Sequence, residues 1–465
     1  MFGLFSPNCR NLAAVLLAAS LLSGCSLLPR SEFRQPQVSV PEKWQNQAAT
    51  GTAVANGTQW WKNFNDPVLD QLIDRALRTN NDLAAATVKV KRAQLQSKLT
   101  DTNLTPNVNV TASSVGTLAH GELTQSHSVT GALSYELDLW GKLARARDAD
   151  RWEAEATEAD RQNTALSLIG TTASAYWQVA FLNQRIDTEK ASIAYAEKTL
   201  DLVKAKYRAG AVSALDLAQA EQTVATQKAN LTQLEQQRTE ARNALAILFD
   251  QAPENAVSER EALPDGPLPA VKAGMPVSLL GRRPDLRAAE LRLREYLADT
   301  DYAKASFYPS FTLTGSAGGS SISLENVLRN PVTTLGVGLA LPFVQWNTAR
   351  LTVKISETHY EEAVVNFRQT LYKALSDVEN ALSAQARYEE ERVQLEQALS
   401  SARKAELLSE IRYRAGATGV QDWLDEQERR RSAETTLDEN RLNRLKNIMK
   451  LYQALGGDMK TAPAT

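Results

Sequence analysis

The stretch Lys206-Tyr207-Arg208-Ala209-Gly210-Ala211 returns as Arg412-Tyr413-Arg414-Ala415-Gly416-Ala417, 206 residues further on. In each copy a long, glycine-poor, charge-rich segment runs into Tyr-Arg-Ala-Gly-Ala. An aspartate comes nine residues after the tyrosine, Asp216 in the first copy and Asp422 in the second. Glycine in this setting ends a helix and turns the chain back. The chain is therefore a duplication of one large half, each half built on a helical hairpin whose turn is at Gly210 or Gly416. A period of this size is far beyond the roughly 20–50 residues of a solenoid repeat.

The segments entering the two turns are the longest elements. From about 143 to 208 the sole glycine is Gly170 and there is no proline; from about 349 to 414 there is neither. Each predicts one helix roughly 100 Å long at 1.5 Å per residue. A walk back from Tyr207 in alternating steps of four and three meets Val203, Leu200, Ala196, Ile193, Glu189, Ile186, Leu182, Val179, Ala175, Thr172, Leu168 and Ala165. The same walk from Tyr413 meets Ser409, Glu406, Ala402, Leu399, Leu395, Arg392, Tyr388, Gln385, Ala381, Val378, Ala374 and Leu371. Both are apolar seams of period 3.5, with alanines that permit close helix approach, as in a curved wall of helices. Glu189, Gln385 and Arg392 interrupt them, as expected of a face that borders water. Shorter helices are predicted over about 67–102, 214–249, 284–306 and 420–455, with Asp66 and Pro67 as N-cap and first turn of the first.

After Pro106 the period changes from helical to strand-like. Asn107-Val108-Asn109-Val110-Thr111-Ala112 alternates, and so does 128–139, with Val129, Leu133, Tyr135, Leu137 and Leu139 on one face. The second half repeats this at the matching place: Phe311, Leu313 and Gly315 after Pro309, then Leu335, Val337, Leu339 and Leu341 before Pro342. Each segment is about ten residues, the length of a tilted membrane-spanning strand. Four strands cannot close, since the smallest barrels need about eight, and open strand edges are not tolerated in lipid. Hairpins that enter a membrane here require several chains to share one barrel, whether two, three or four.

The N-terminus adds an export signal. Arg10 precedes an apolar run from 12 to 22, too short for a permanent span. It ends in Leu22-Ser23-Gly24-Cys25, which resembles a bacterial lipobox and implies cleavage before Cys25 and lipid attached to that cysteine. Ser26 in the next position favours the outer membrane. The organisation expected is a signal peptide at 1–24, a lipidated extended arm at 25–58, a first repeat at 59–250, a proline-rich linker at 251–276, a second repeat at 277–455 and a tail at 456–465.

Several classes are excluded. A net charge of −2 is no nucleic-acid footprint. Three scattered histidines make no metal site, and without a phosphate loop, Cys/His cluster or nucleophile motif neither an enzyme nor a cofactor is expected. A lipoprotein coiled-coil scaffold or tether would share the lipobox and seams, yet has no use for strands placed identically in each half.

The lipobox, Trp60-Trp61-x-x-Phe64-x-Asp66-Pro67, the Arg282-Arg283-Pro284-Asp285-Leu286 opening of the second half, Phe307-Tyr308-Pro309-Ser310, the paired Tyr-x-x-Gly turns and the closing Leu455-Gly456-Gly457 occur in order over essentially all of the mature chain. Together they resemble the outer-membrane factor family of TolC/NodT-type lipoproteins. The sequence departs at Val344-Gln345-Trp346-Asn347, where relatives often carry an aspartate and glycines. The resemblance implies a mainly α fold with membrane β: a homotrimeric α-helical barrel continued into a shared 12-stranded transmembrane β-barrel, four strands per chain. It implies a passive exit duct in the outer membrane, anchored by lipid and extending into the periplasm, that serves an inner-membrane efflux transporter through a periplasmic adaptor and expels small molecules such as drugs.

The tips at Gly210 and Gly416 are then where the adaptor docks and the entrance closes. Asp422 and Asp425, spaced i, i+3, share a helix face just past the second turn. Under threefold symmetry each becomes a carboxylate ring, attractive to cations. Relatives place their constriction at these positions and link a tyrosine matching Tyr413, with an arginine, to an aspartate matching Asp216; here Thr418 stands where that arginine would be. Asp425 is matched by Gln219 in the first copy, which places the constriction on the second turn and the supporting contact on the first.

Overall fold

The computed structural model describes residues 30–46, 53–54, 59–253, 257–329 and 331–457. The export signal, Cys25 and most of the tail lie outside the described residues. Two compact units share the chain. One comprises Met1–Val38, Lys89–Glu158 and Ala288–Gln369, the other Ser39–Val88, Ala159–Arg287 and Thr370–Thr465.

The first unit holds the sheet. Strands β2 (Asn107–Ala119), β3 (Glu122–Leu137), β5 (Ser310–Ser321) and β6 (Val332–Ala340) pair in the order β2-β3-β5-β6, every neighbour antiparallel. The two hairpins predicted from the duplication are thus joined side by side, β3 to β5. His120 and Gly121, at φ 52° and 87°, make the two-residue turn of the first hairpin. The first three strands exceed the expected ten residues, at 13, 16 and 12. They continue through Ser113–Ala119, Glu122–Ser126 and Gly318–Ser321, where serine, threonine and glycine hide the alternation. Leu139 and Leu341 fall just beyond their strands. Gly318 faces Thr130, and a Cβ there would stand 2.3 Å from the Val129 carbonyl oxygen. The arm enters this unit too: Ser31 donates to Asp301, Arg30 pairs with Asp148 at 3.0 Å, and Arg294 lies over Phe33 at 4.3 Å.

The helices are α1 (Pro67–Thr79), α2 (Asn81–Asp101), α3 (Lys142–Arg208), α4 (Ala214–Ile247), α5 (Pro284–Ala305), α6 (Trp346–Arg414) and α7 (Val420–Ala454). The long pair, of 67 and 69 residues, starts and ends almost where glycine and proline scarcity placed it. The single helix expected over 67–102 is two, because Asn80 leaves helical geometry at ψ 130° and its side chain accepts from the amides of Asp82 and Leu83 to cap α2.

Of the thirteen seam positions on α3, only Tyr207 is exposed; on α6 none is. The polar interruptions do not all border water. Glu189 is buried, and burial raises its carboxyl pKa against the opposing pull of Arg431 and Arg185. Arg392 is half-buried and pairs with Glu389 and Glu396. The linker is also less plain than its prolines imply: β4 (Val271–Lys272) pairs in parallel with β1 (Ala53–Val54), and a 3-10 turn comes next at Pro276–Gly281.

In the second unit the scattered motifs of the family pattern meet. Trp60 stacks on Tyr452 at 4.8 Å, and Phe64 packs on Trp177 at 5.0 Å. Asp66 caps α1 through the amides of Val68 and Leu69 while accepting from the Tyr176 hydroxyl and from Arg260 at 3.0 Å. Arg283 pairs with Asp285 and Asp377 and donates to the Ala454 carbonyl. Gly456, at φ 93°, lets the Arg282 backbone approach, where a Cβ would stand 2.8 Å from its carbonyl.

Candidate functional site: the hairpin tips

The repeated hexapeptide folds twice into one structure. Ala211 N donates to Lys206 O and Gly210 N to Tyr207 O, both at 2.9 Å; Ala417 N donates to Arg412 O at 2.9 Å and Gly416 N to Tyr413 O at 3.0 Å. This double bond pattern is the Schellman cap, and it requires the left-handed φ of 71° and 74° that the two glycines supply. Each long helix is stopped by its own sequence at the place where the partner helix must begin.

Beyond the turns the two copies differ. Ser213 caps α4, and Asp216 completes a reciprocal capping box by accepting from the Ser213 amide and hydroxyl at 2.8 and 2.6 Å. Those bonds hold the Asp216 carboxyl below its ordinary pKa. In the second copy Gly419 stands where Ser213 stands in the first, and α7 has no side-chain cap. Asp422 therefore lacks the partner that occupies Asp216, and it is exposed in the first turn of α7. Asp425, one turn on, accepts from Gln421 at 2.6 Å. Both acids border a cavity of about 300 Å³ together with Arg412, Thr418, Glu426 and Arg429.

The tyrosines diverge in parallel. Tyr207 is exposed, whereas Tyr413 is buried with Ala196, Leu200, Val203, Val224, Val420 and Trp423, which locks hairpin α3–α4 against hairpin α6–α7. Its ring lies 5.4 Å from Trp423, and Tyr195 packs edge-on to Trp423 while donating to Glu410. The Tyr413 hydroxyl makes no hydrogen bond among the described residues. Burial, and then the nearby Asp216 charge, raise its pKa. Asp216 is thus close to Tyr413 without bonding it: the capping box holds its Oδ2, and the Val420 amide also bonds its carboxylate.

Lys206 supplies the cation at this junction. Its ammonium sits 4.1 Å above the Tyr413 ring and donates to the Tyr413 carbonyl at 3.1 Å. Apolar spacing gives no sign of it, although it is the first residue of the duplicated hexapeptide and the one place where that motif exchanges arginine for lysine. A cation over a phenol contributes about 0.5–2 kcal/mol. Lys206→Met is expected to speed hydrogen exchange of amides 413–417 about fivefold or more while sparing the seam around Leu182; unchanged exchange would remove Lys206 from the junction.

The outer membrane efflux protein family profile matches residues 72–249 and 275–457, most of both halves. The chain belongs to the outer membrane efflux protein family. This efflux protein is 32% identical over 461 residues to the pyoverdine export outer membrane protein OpmQ of Pseudomonas putida, covering 96% of this chain and 97% of that one. It is 29% identical over 411 residues to the toxin and drug export protein A of Aggregatibacter actinomycetemcomitans, covering 86% and 88%. Among solved structures it superposes on the outer-membrane channel OprN with a TM-score of 0.85 at 26% identity, over 93% of this chain and all of that one. The efflux protein therefore has the fold of the outer-membrane efflux channels, mostly helical with a four-stranded sheet, and acts as the outer-membrane component of an efflux system. A scaffold without a pore does not account for that match.

Proposed function

We propose that three copies of this chain close one twelve-stranded barrel in the outer membrane and that their helices form the tunnel beneath it, through which an inner-membrane transporter and a periplasmic adaptor expel small molecules. The sheet carries this reading. It ends in two unpaired edges, β2 and β6, and its strands expose Val108, Val110, Leu335, Val337 and Leu339. Apolar strands with open edges are stable in lipid only if other copies pair with them. In this reading Cys25 bears the lipid anchor and the turns at Gly210 and Gly416 dock the adaptor. The protein is a passive duct, without catalysis. The names of the pyoverdine-exporting and the toxin- and drug-exporting relatives support small molecules, drugs included, as cargo.

The entrance is set by Asp422 and Asp425, repeated around the pore, and by Asp216 and Tyr413, which seat the second tip on the first. Two facts support this assignment: the second copy lacks the capping serine, and both of its acids are exposed beside a cavity. Purified protein in a planar bilayer is expected to conduct with cation preference. Asp422→Ala with Asp425→Ala is expected to abolish most of that preference and make the closed entrance leak. Absence of any conductance, in parent and variant alike, would sink the duct; conductance with unchanged selectivity would sink only the gate.

A further inference from the structure

The departure from the family pattern at Val344-Gln345-Trp346-Asn347 lies just past β6, at the rim of the sheet. In the first half this rim is Asp138-Leu139-Trp140-Gly141, and its carboxylates are engaged locally: Asp138 accepts from the amides of Leu143 and Ala144, and Glu136 pairs with Lys142 at 2.5 Å. In the second half no carboxylate stands between Leu341 and Ala349. Phe343, Val344 and Trp346 are at least half exposed there, and Tyr308 carries Trp140 at 5.3 Å. Aromatic side chains left open at the ends of membrane strands mark the bilayer–water boundary.

One turn beyond Trp346, Arg350 lies over its ring at 5.8 Å. Arg350 and Lys354 from α6, Lys304 near the end of α5, and Phe307 and Tyr308 just past it border an open, shallow cavity of about 470 Å³. Its single acid, Glu357, is held by Lys304 at 3.2 Å. Arg350 and Lys354 have no ion pair among the described residues, so the cavity is left with two uncompensated cations above an aromatic floor. Long cationic side chains at such a boundary lay their stems along apolar surface and keep their charge at headgroup depth. The anion at that depth is a phosphodiester, which a guanidinium meets with two parallel hydrogen bonds.

We propose that this cavity binds the headgroup of an anionic phospholipid from the periplasmic leaflet of the outer membrane, Arg350 and Lys354 meeting its phosphate and Phe307 and Tyr308 its glycerol–acyl junction. The inference rests on the outer-membrane reading above. In the first half the carboxylates of Glu136 and Asp138 occupy the corresponding rim, so each chain carries one such site.

Full-length protein in neutral detergent, titrated with phosphatidylglycerol or phosphatidylcholine and followed by native mass spectrometry, tests it. Phosphatidylglycerol is expected to be retained preferentially, and Arg350→Gln with Lys354→Gln is expected to weaken that retention roughly thirtyfold, given the contribution of each cation near an anionic surface. Both side chains are exposed, and insertion into a planar bilayer reports independently that the variant folds. Equal retention of the two lipids or unchanged retention in the variant overturns the proposal while insertion proceeds normally. Failure of the parent protein to enter a bilayer overturns the outer-membrane reading and the lipid site with it.

Discussion

Asp66→Ala is expected to be the most damaging single change in the helical unit, costing about 3 kcal/mol. The residue is 4% exposed and serves four donors: two amides at the start of α1, the Tyr176 hydroxyl and Arg260. Losing a helix N-cap costs about 1 kcal/mol. Leaving a buried hydroxyl without its acceptor costs about 1–3 kcal/mol more. Arg260 is 39% exposed on its side chain and recovers water, so it adds little. Tyr176 is fully buried, and burial followed by the Asp66 charge pushes its pKa upward. Asp66→Asn keeps an acceptor for the cap and for Tyr176 and is expected to cost about half as much. Thermal unfolding of the two variants in detergent separates them. An Asp66→Ala protein within about 0.5 kcal/mol of the parent would show that the cap and its partners are redundant.

Gly318→Ala is expected to do comparable harm to the sheet by a different route. The added Cβ would meet the Val129 carbonyl oxygen at 2.3 Å and Thr130 Cα at 2.8 Å, both backbone atoms of the facing strand. The strand cannot yield without opening the β3–β5 ladder, the one seam that joins the two halves of the sheet. Gly131→Ala on β3 meets nothing nearer than 3.7 Å and serves as the matched control. The expected result is a large loss of bilayer-inserted protein for Gly318→Ala and little for Gly131→Ala. Equal yields would place the slack elsewhere in the ladder.

The elements legible in the sequence were those with a period. The long helices and their seams came from apolar spacing and from missing glycine and proline, and the twin turns from a repeat that names its own glycine. Strand ends were not legible. Ser113–Ala119 and Gly318–Ser321 pair through backbone groups and carry few apolar side chains to count. The break at Asn80 was hidden because asparagine is tolerated inside helices, and only its bonds to Asp82 and Leu83 show that it caps. At the tips, Asp422 and Asp425 are both exposed on α7. The role of Lys206 and the occupation of Asp216 by Ser213 depend on distances between side chains, which spacing along one chain does not carry. Asp66 is similar: its motif was evident, but its partners stand 110 and 194 residues away.

The two free edges of the sheet also have a kinetic meaning. A protomer holding only β2-β3-β5-β6 cannot complete its own ladder, so in the proposed assembly no single copy can enter lipid in finished form. Insertion and association become one event. Its rate should climb steeply with protomer concentration, and a copy able to pair at β2 but not at β6 would spoil the ring it joins, so that a minority of defective chains silences a majority of sound ones.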